Sequence, residues 1–203
     1  MKAILGKKLK MSQVFDKSGK PIPVTIIEVG PNYITAIKTK ERDGYNSIQI
    51  GYGKDKKIKK PQEGIIKKLK INDKLKFYKE FKTENTENIS LGDKINVSIF
   101  NEGEKVKVSG ISKGKGFQGV IKRWGFHRGP ETHGSDHHRH TGSIGSMFPQ
   151  RVVKGRKMPG NMGRDKTTIY GLKIIKVIPE TNIIMLKGAV PGPNKALVSI
   201  EVQ

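Results

Sequence analysis

Ile169-Tyr-Gly-Leu-Lys-Ile-Ile-Lys-Val-Ile178 and Asn182-Ile-Ile-Met-Leu-Lys187 are two β-rich runs joined by Pro179-Glu180-Thr181. A turn tripeptide between two such runs reads as a hairpin. Within the first run, Ile174-Ile175-Lys176-Val177-Ile178 is apolar at odd and even positions alike. A strand with one wet face alternates between apolar and polar residues. One that is apolar on both faces is covered on both, which suits a closed or sandwiched sheet.

The rest of both flanks reads the same way. Ile4-Leu5, Val14-Phe15, Pro21 to Val29 and Tyr33 to Lys38 are short runs rich in β-branched residues, with turns at Asp16-Lys17-Ser18-Gly19 and Gly30-Pro31-Asn32. Ser47 to Tyr52, Ile95 to Ile99 and Val106 to Val108 have period two, and Ala196 to Val202 makes a last strand. Helix is scarce. Gln62 to Lys70 sets Ile65, Ile66 and Leu69 on one face with Lys67, Lys68 and Lys70 directed away, and Phe117 to Lys122 allows a turn or two. The expected body is mostly β and spans residues 1–112 and 167–203, with a small α+β insertion over residues 53–92. The lysine-dense stretch Lys54 to Lys60 reads as a solvated loop, with RNA contact as a second option.

Residues 113–166 are another kind of sequence. The chain has 203 residues and a formal charge of +22, from 40 Lys and Arg against 18 Asp and Glu. Such an excess attracts polyanions, either nucleic acid or an anionic membrane. The segment 113–166 holds 12 basic and three acidic residues, 11 of the 24 glycines, all five histidines, the only Trp and every Arg except Arg42. Lysine is a solvated point charge, whereas the arginine fork suits phosphate oxygens and base stacking. Confining Arg to one glycine-rich segment places that segment against nucleic acid. The apolar runs are too short for a spanning helix, and the N-terminus has no apolar stretch of signal-peptide length. The absence of cysteine excludes disulfides and thiolate metal sites and fits a cytoplasmic protein.

So long a glycine-rich stretch cannot close its own core, because Val120, Ile121, Trp124, Phe126, Ile144, Met147, Phe148, Val152 and Val153 are dispersed along it. It is expected to be an extended loop that threads into a partner. The expected contact residues are Lys113, Lys115, Lys122, Arg123, Trp124, His127, Arg128, His133, His137, His138, Arg139, His140, Arg151, Lys154, Arg156, Lys157, Arg164 and Lys166. Cations there would meet phosphates, and Trp and His would stack on or hydrogen-bond to unpaired bases. For Trp124, packing at the base of the extension is the alternative. The histidine cluster raises zinc, but no Cys accompanies it and no helix-borne pair such as H-E-x-x-H is present, so no metal or other cofactor is expected. Gly114-Lys-Gly-Phe-Gln-Gly119 fits G-x-G-x-x-G without the crossover helix of a dinucleotide fold. The chain lacks a Cys nucleophile, a G-x-S-x-G elbow and the carboxylate pairs of two-metal sites. A non-enzymatic RNA-binding protein is therefore expected, ahead of a nucleic-acid-processing enzyme built on the histidines or a free-standing RNA chaperone.

Lys113-Gly-Lys-Gly-Phe-Gln-Gly-Val-Ile-Lys-Arg-Trp-Gly-Phe126 resembles the signature of the universal large-subunit ribosomal protein three family. The likeness continues in His127-Arg-Gly-Pro-Glu-Thr-His-Gly-Ser135, Gly142-Ser-Ile-Gly145, Lys154-Gly-Arg-Lys-Met-Pro-Gly-Asn-Met-Gly163 and the opening Ile4-Leu-Gly-Lys-Lys-Leu9 with Met11-Ser-Gln-Val-Phe15. It covers most of the chain in the family's order, and the length is similar to the compact bacterial form. The resemblance implies a β-barrel body of translation-protein type with an inserted α+β portion. It also implies direct binding to large-subunit rRNA, early assembly, neighbouring ribosomal proteins as partners, and an extension reaching toward the peptidyl-transferase centre. Two departures stand out. Thr141 occupies a place where many relatives have Pro, and Ser146 to Val152 is one residue shorter than in some relatives; aligned on Pro149, the glutamine methylated in certain bacteria falls near Met147, so Gln150 does not inherit that modification.

Overall fold

The computed structural model describes residues 2–83 and 89–202. In chain order the strands are β1 (Ala3–Phe15), β2 (Pro21–Glu28), β3 (Asn32–Lys38), β4 (Ser47–Lys54), β5 (Leu75–Lys82), β6 (Lys94–Ile95), β7 (Lys105–Ile111), β8 (Gly116–Gln118), β9 (Gly160–Met162), β10 (Lys166–Ile178), β11 (Ile183–Lys187) and β12 (Leu197–Val202). The helices are α1 (Lys40–Asp43), α2 (Lys60–Lys68) and α3 (Val120–Trp124). None is long and apolar enough to cross a membrane. The chain forms two compact units, Met1–Ile111 with Lys166–Gln203, and Ser112–Asp165.

In the first unit six antiparallel strands close a barrel in the order β1-β12-β7-β10-β11-β2. Period-two alternation fills it: Val106 and Val108 of β7, Ile184 and Leu186 of β11, and Val198 and Ile200 of β12 all point inward and are buried. The run that is apolar on both faces has a local cause. The β10–β11 register shifts between Ile174 and Lys176, so a bulge at Ile175 lets both Ile174 and Val177 join the barrel core.

A second sheet, in the order β5-β4-β3-β6, packs on the outside of β1. Ile4 points into the barrel, while Ala3 and Leu5 join Ile34, Ile48, Ile50, Tyr52 and Phe81 in a second core. Each fully buried Ile, Leu or Phe contributes about 1.5–3 kcal/mol, so β1 stabilises both layers at once. Buried Asn32 fastens the junction. Its Nδ2 donates to the carbonyls of Leu5 (3.0 Å) and Val29 (2.6 Å), and its Oδ1 accepts from the Leu5 N–H (3.2 Å).

Three expectations need correction. The Ile95 to Ile99 strand stops after β6, and Val97–Ile99 is a 3₁₀ turn. That turn brings Val97 and Phe100, three residues apart, onto one side and into the barrel core. The α+β portion begins earlier than residue 53, since its sheet includes all of β3 and β4. On α2, Ile66 is buried with Ile71 and Leu75, but Ile65 is exposed. A nine-residue helix covers its neighbours with a narrower stripe than its composition offers.

Candidate nucleic-acid interface

The second unit starts as a two-stranded stem. The Ser112 N–H donates to the Asp165 carbonyl (2.9 Å), the Lys115 N–H donates to the Met162 carbonyl (2.9 Å), and β8 pairs with β9 from Gly116↔Met162 to Gln118↔Gly160. Gly163 is required here: its φ is +79°, and a Cβ would collide with the Lys113 carbonyl. Gly119 caps α3 at its start. At the other end Gly125, in the left-handed region at φ 73°, closes the helix by donating its N–H to Ile121.

The single turn of α3 presents Arg123 and Trp124 to the returning strand. The Arg123 guanidinium and the Trp124 indole N–H both donate to the Met158 carbonyl, each at 2.9 Å. The guanidinium carbon lies 5.0 Å from the Trp124 ring centroid and Lys157 Nζ lies 5.9 Å from it, within cation–π range. Trp124 is still 42% exposed. These residues brace the two arms of the loop against each other. Lys113 and Lys115 line an adjoining cleft with Arg123, Trp124 and Asp165.

The histidines follow along the loop. Among the described residues no group of three or more His, Cys, Asp or Glu is placed to hold an ion. The Gly129 N–H donates to the His138 carbonyl (3.1 Å), and His138 Nδ1 donates to the Pro130 carbonyl (2.8 Å). His137 and His140 meet edge to face at 5.1 Å, and Arg128 pairs with Glu131. Half-buried His138 holds backbone, while His127, His133, His137, Arg139 and His140 are exposed.

Residues 142–158 are exposed throughout. Met147 and Phe148 are 81% and 73% exposed, and Phe148-Pro149 is a cis bond. Arg156 donates to the Ser143 carbonyl (2.6 Å), which ties the tip across its width. Among the described residues Arg151 and Lys154 have no such side-chain partner. Arg164, beside the stem, is exposed in a left-handed conformation at φ 59°, and Lys166 belongs to the first unit as the opening residue of β10. The eighteen expected residues thus divide in two. Arg123, Trp124, His138 and Arg156 each bond a backbone carbonyl within the unit, and Lys157 lies near the Trp124 ring. The remainder face outward.

Exposed aromatic and sulfur-bearing side chains are thus interleaved with exposed cations along this segment. The family model for ribosomal protein L3 matches residues 53–181, well over half of the chain and including all of this unit.

Proposed function

The chain belongs to the ribosomal protein L3 family and is thus a structural component of the large ribosomal subunit, and on that premise we propose that it binds large-subunit rRNA directly through residues 113–166. The observation that carries this reading is the tip at residues 142–158, which is solvent-exposed yet combines Met147 and Phe148 with the unpaired cations Arg151 and Lys154. In water such a segment gains nothing from its apolar side chains. Against RNA they cover bases while the cations replace counterions.

In this reading the outward-facing side chains, namely Lys113, Lys115, Lys122, Arg128, Arg139, Arg151, Lys154 and Arg164 with the exposed histidines, contact phosphates and base edges. Arg123, Trp124 and Arg156 hold the backbone in place for them. The extension runs toward the peptidyl-transferase centre, the protein joins early in assembly beside other large-subunit proteins, and catalysis stays with the rRNA. Sedimentation of cell lysate tests the assignment. The protein should comigrate stoichiometrically with the large subunit through a moderate salt wash, and recovery chiefly in the soluble fraction would refute it.

A further inference from the structure

A cleft of about 550 Å³ opens in the barrel unit where the outer face of β1 and β2 meets β4 and β5. Register explains its lining. Lys7 pairs with Glu28 across β1 and β2, and because Ile27 and Val29 point into the barrel, Glu28 points away from it. Opposite stand Tyr33, Tyr52 and Phe77, with Lys195 from the loop before β12.

Some of these groups are committed and others are free. The Tyr33 hydroxyl donates to Asp73 Oδ2 (2.8 Å), Lys54 holds Asp73 Oδ1 (2.9 Å), and the Tyr52 hydroxyl donates to the Glu28 carbonyl (3.0 Å). These bonds make a stiff wall. The ammonium groups of Lys7 and Lys195 and the Glu28 carboxylate form no ion pair among the described residues. Phe77 leaves over a third of its surface exposed, with the Lys76 ammonium 5.6 Å from its ring centroid on one side.

Lys195 is also held deliberately. Its φ of +68° is a conformation L side chains rarely adopt, and its N–H donates to the Lys8 carbonyl at 2.7 Å. The preceding loop is tied down by buried Lys8, whose Nζ donates to the carbonyls of Val190 (2.8 Å) and Gly192 (3.1 Å). The fold thus brings together two unpaired cations, one unpaired carboxylate and an exposed ring in a cavity within the size range of small-molecule sites, roughly 300–1,000 Å³.

From this juxtaposition we infer that the cleft binds a single unpaired nucleotide, with its base stacked on Phe77 and its phosphate between Lys7 and Lys195. The Glu28 carboxylate accepts two hydrogen bonds in parallel. The Watson–Crick edge of guanine offers two adjacent donors, so guanine is preferred. Uracil offers a single donor, N3–H, flanked by two carbonyl oxygens that repel a carboxylate, and is a poorer fit. The inference rests on the reading of the chain as RNA-binding but concerns a different surface, and the nucleotide is either part of an RNA strand or free.

Full-length ¹⁵N-labelled protein titrated with GMP, UMP and a guanine-containing single-stranded RNA tetramer tests it. GMP should shift the amides of Gly53, Phe77 and Lys195 saturably, and more tightly than UMP. Replacing Lys7 and Lys195 together by Ala should weaken GMP by about tenfold or more. Phe77→Leu should weaken it by roughly fivefold or more. Thermal melting of each variant checks that the barrel is intact, and Lys17→Ala, in an exposed turn outside both surfaces, serves as the control that leaves GMP binding unchanged. Cleft shifts with the tetramer as well as GMP assign the site to RNA, and shifts with GMP alone assign it to a free nucleotide. No saturable cleft shift with any probe, or folded cleft variants that bind like the parent, would overturn the inference. An rRNA fragment that still binds through residues 113–166 in that case leaves the earlier reading standing. Loss of fragment binding with cleft binding intact has the opposite meaning.

Discussion

Replacing Arg151 and Lys154 by Ala gives the sharpest test of the loop as an electrostatic RNA contact. Both side chains are exposed and neither has a side-chain partner among the described residues, so their removal costs the fold little, within about 0.5 kcal/mol each. If each neutralises one phosphate, the slope of log affinity against log salt becomes shallower by about 0.7–0.9 per contact, or roughly 1.4–1.8 for the pair. Salt rising from about 50 to about 200 mM spans some 0.6 log units. The affinity gap between variant and parent should therefore close by about tenfold across that range. The assay is filter binding or fluorescence anisotropy with an rRNA fragment at four or more salt concentrations, with melting curves run beside it. Parallel salt lines for variant and parent would show that neither side chain displaces a counterion, and the proposed tip contact would fall.

Asn32→Ala removes three buried hydrogen bonds at the barrel–sheet junction and should lower stability by roughly 2–4 kcal/mol at unchanged m-value in urea; a shift below about 1 kcal/mol contradicts the clamp. Trp124→Phe keeps the ring but loses the donor to Met158, so the Lys115 amide, bonded to Met162 in the same stem, should exchange faster while the salt slope of RNA binding holds; unchanged exchange would mean that Trp124 is no brace. The Lys54 ammonium, and after it the Tyr33 hydroxyl, hold the Asp73 carboxyl below its usual range. The folded state then binds fewer protons there than the unfolded chain, so the contribution exists above the ordinary Asp range and fades as pH falls through the lowered value. The melting-temperature advantage of the parent over Asp73→Asn should accordingly be present at neutral pH and shrink in acid, and a gap constant with pH would exclude Asp73 as its source.

The barrel was legible in sequence wherever alternation and burial agree. Val106 to Val108, Ile183 to Leu186 and Leu197 to Ile200 read as strands and pack as strands, because a period-two pattern on a closed sheet has one inward face. Ile95 to Ile99 misleads for a definite reason: the alternation is there, but β6 pairs with β3 only at Asn32 and Tyr33, and beyond that point no strand partner remains. The chain turns, and i,i+3 burial replaces i,i+2. In the loop, charge and glycine content marked the segment but not the division of labour within it. Arg156 and Lys157 look as available as Arg151 and Lys154 in sequence, yet Arg156 is bound to Ser143 and Lys157 lies near Trp124. Side chain to backbone bonds of this kind have no sequence pattern, since every residue offers a carbonyl.

The insertion leaves β7 after Ile111 and returns at Lys166, and these two residues are cross-strand partners in the barrel. For the folding barrel the segment is a hairpin turn of unusual length. Doubling such a loop costs only about 0.6 kcal/mol in closure entropy. The register of β7 and β10 is set by their own side chains rather than by the residues between them. The barrel's folding therefore places almost no constraint on how long the segment becomes or what it contains. The sequence between Ile111 and Lys166 can change with the demands of whatever it touches, while the scaffold that presents it keeps its stability.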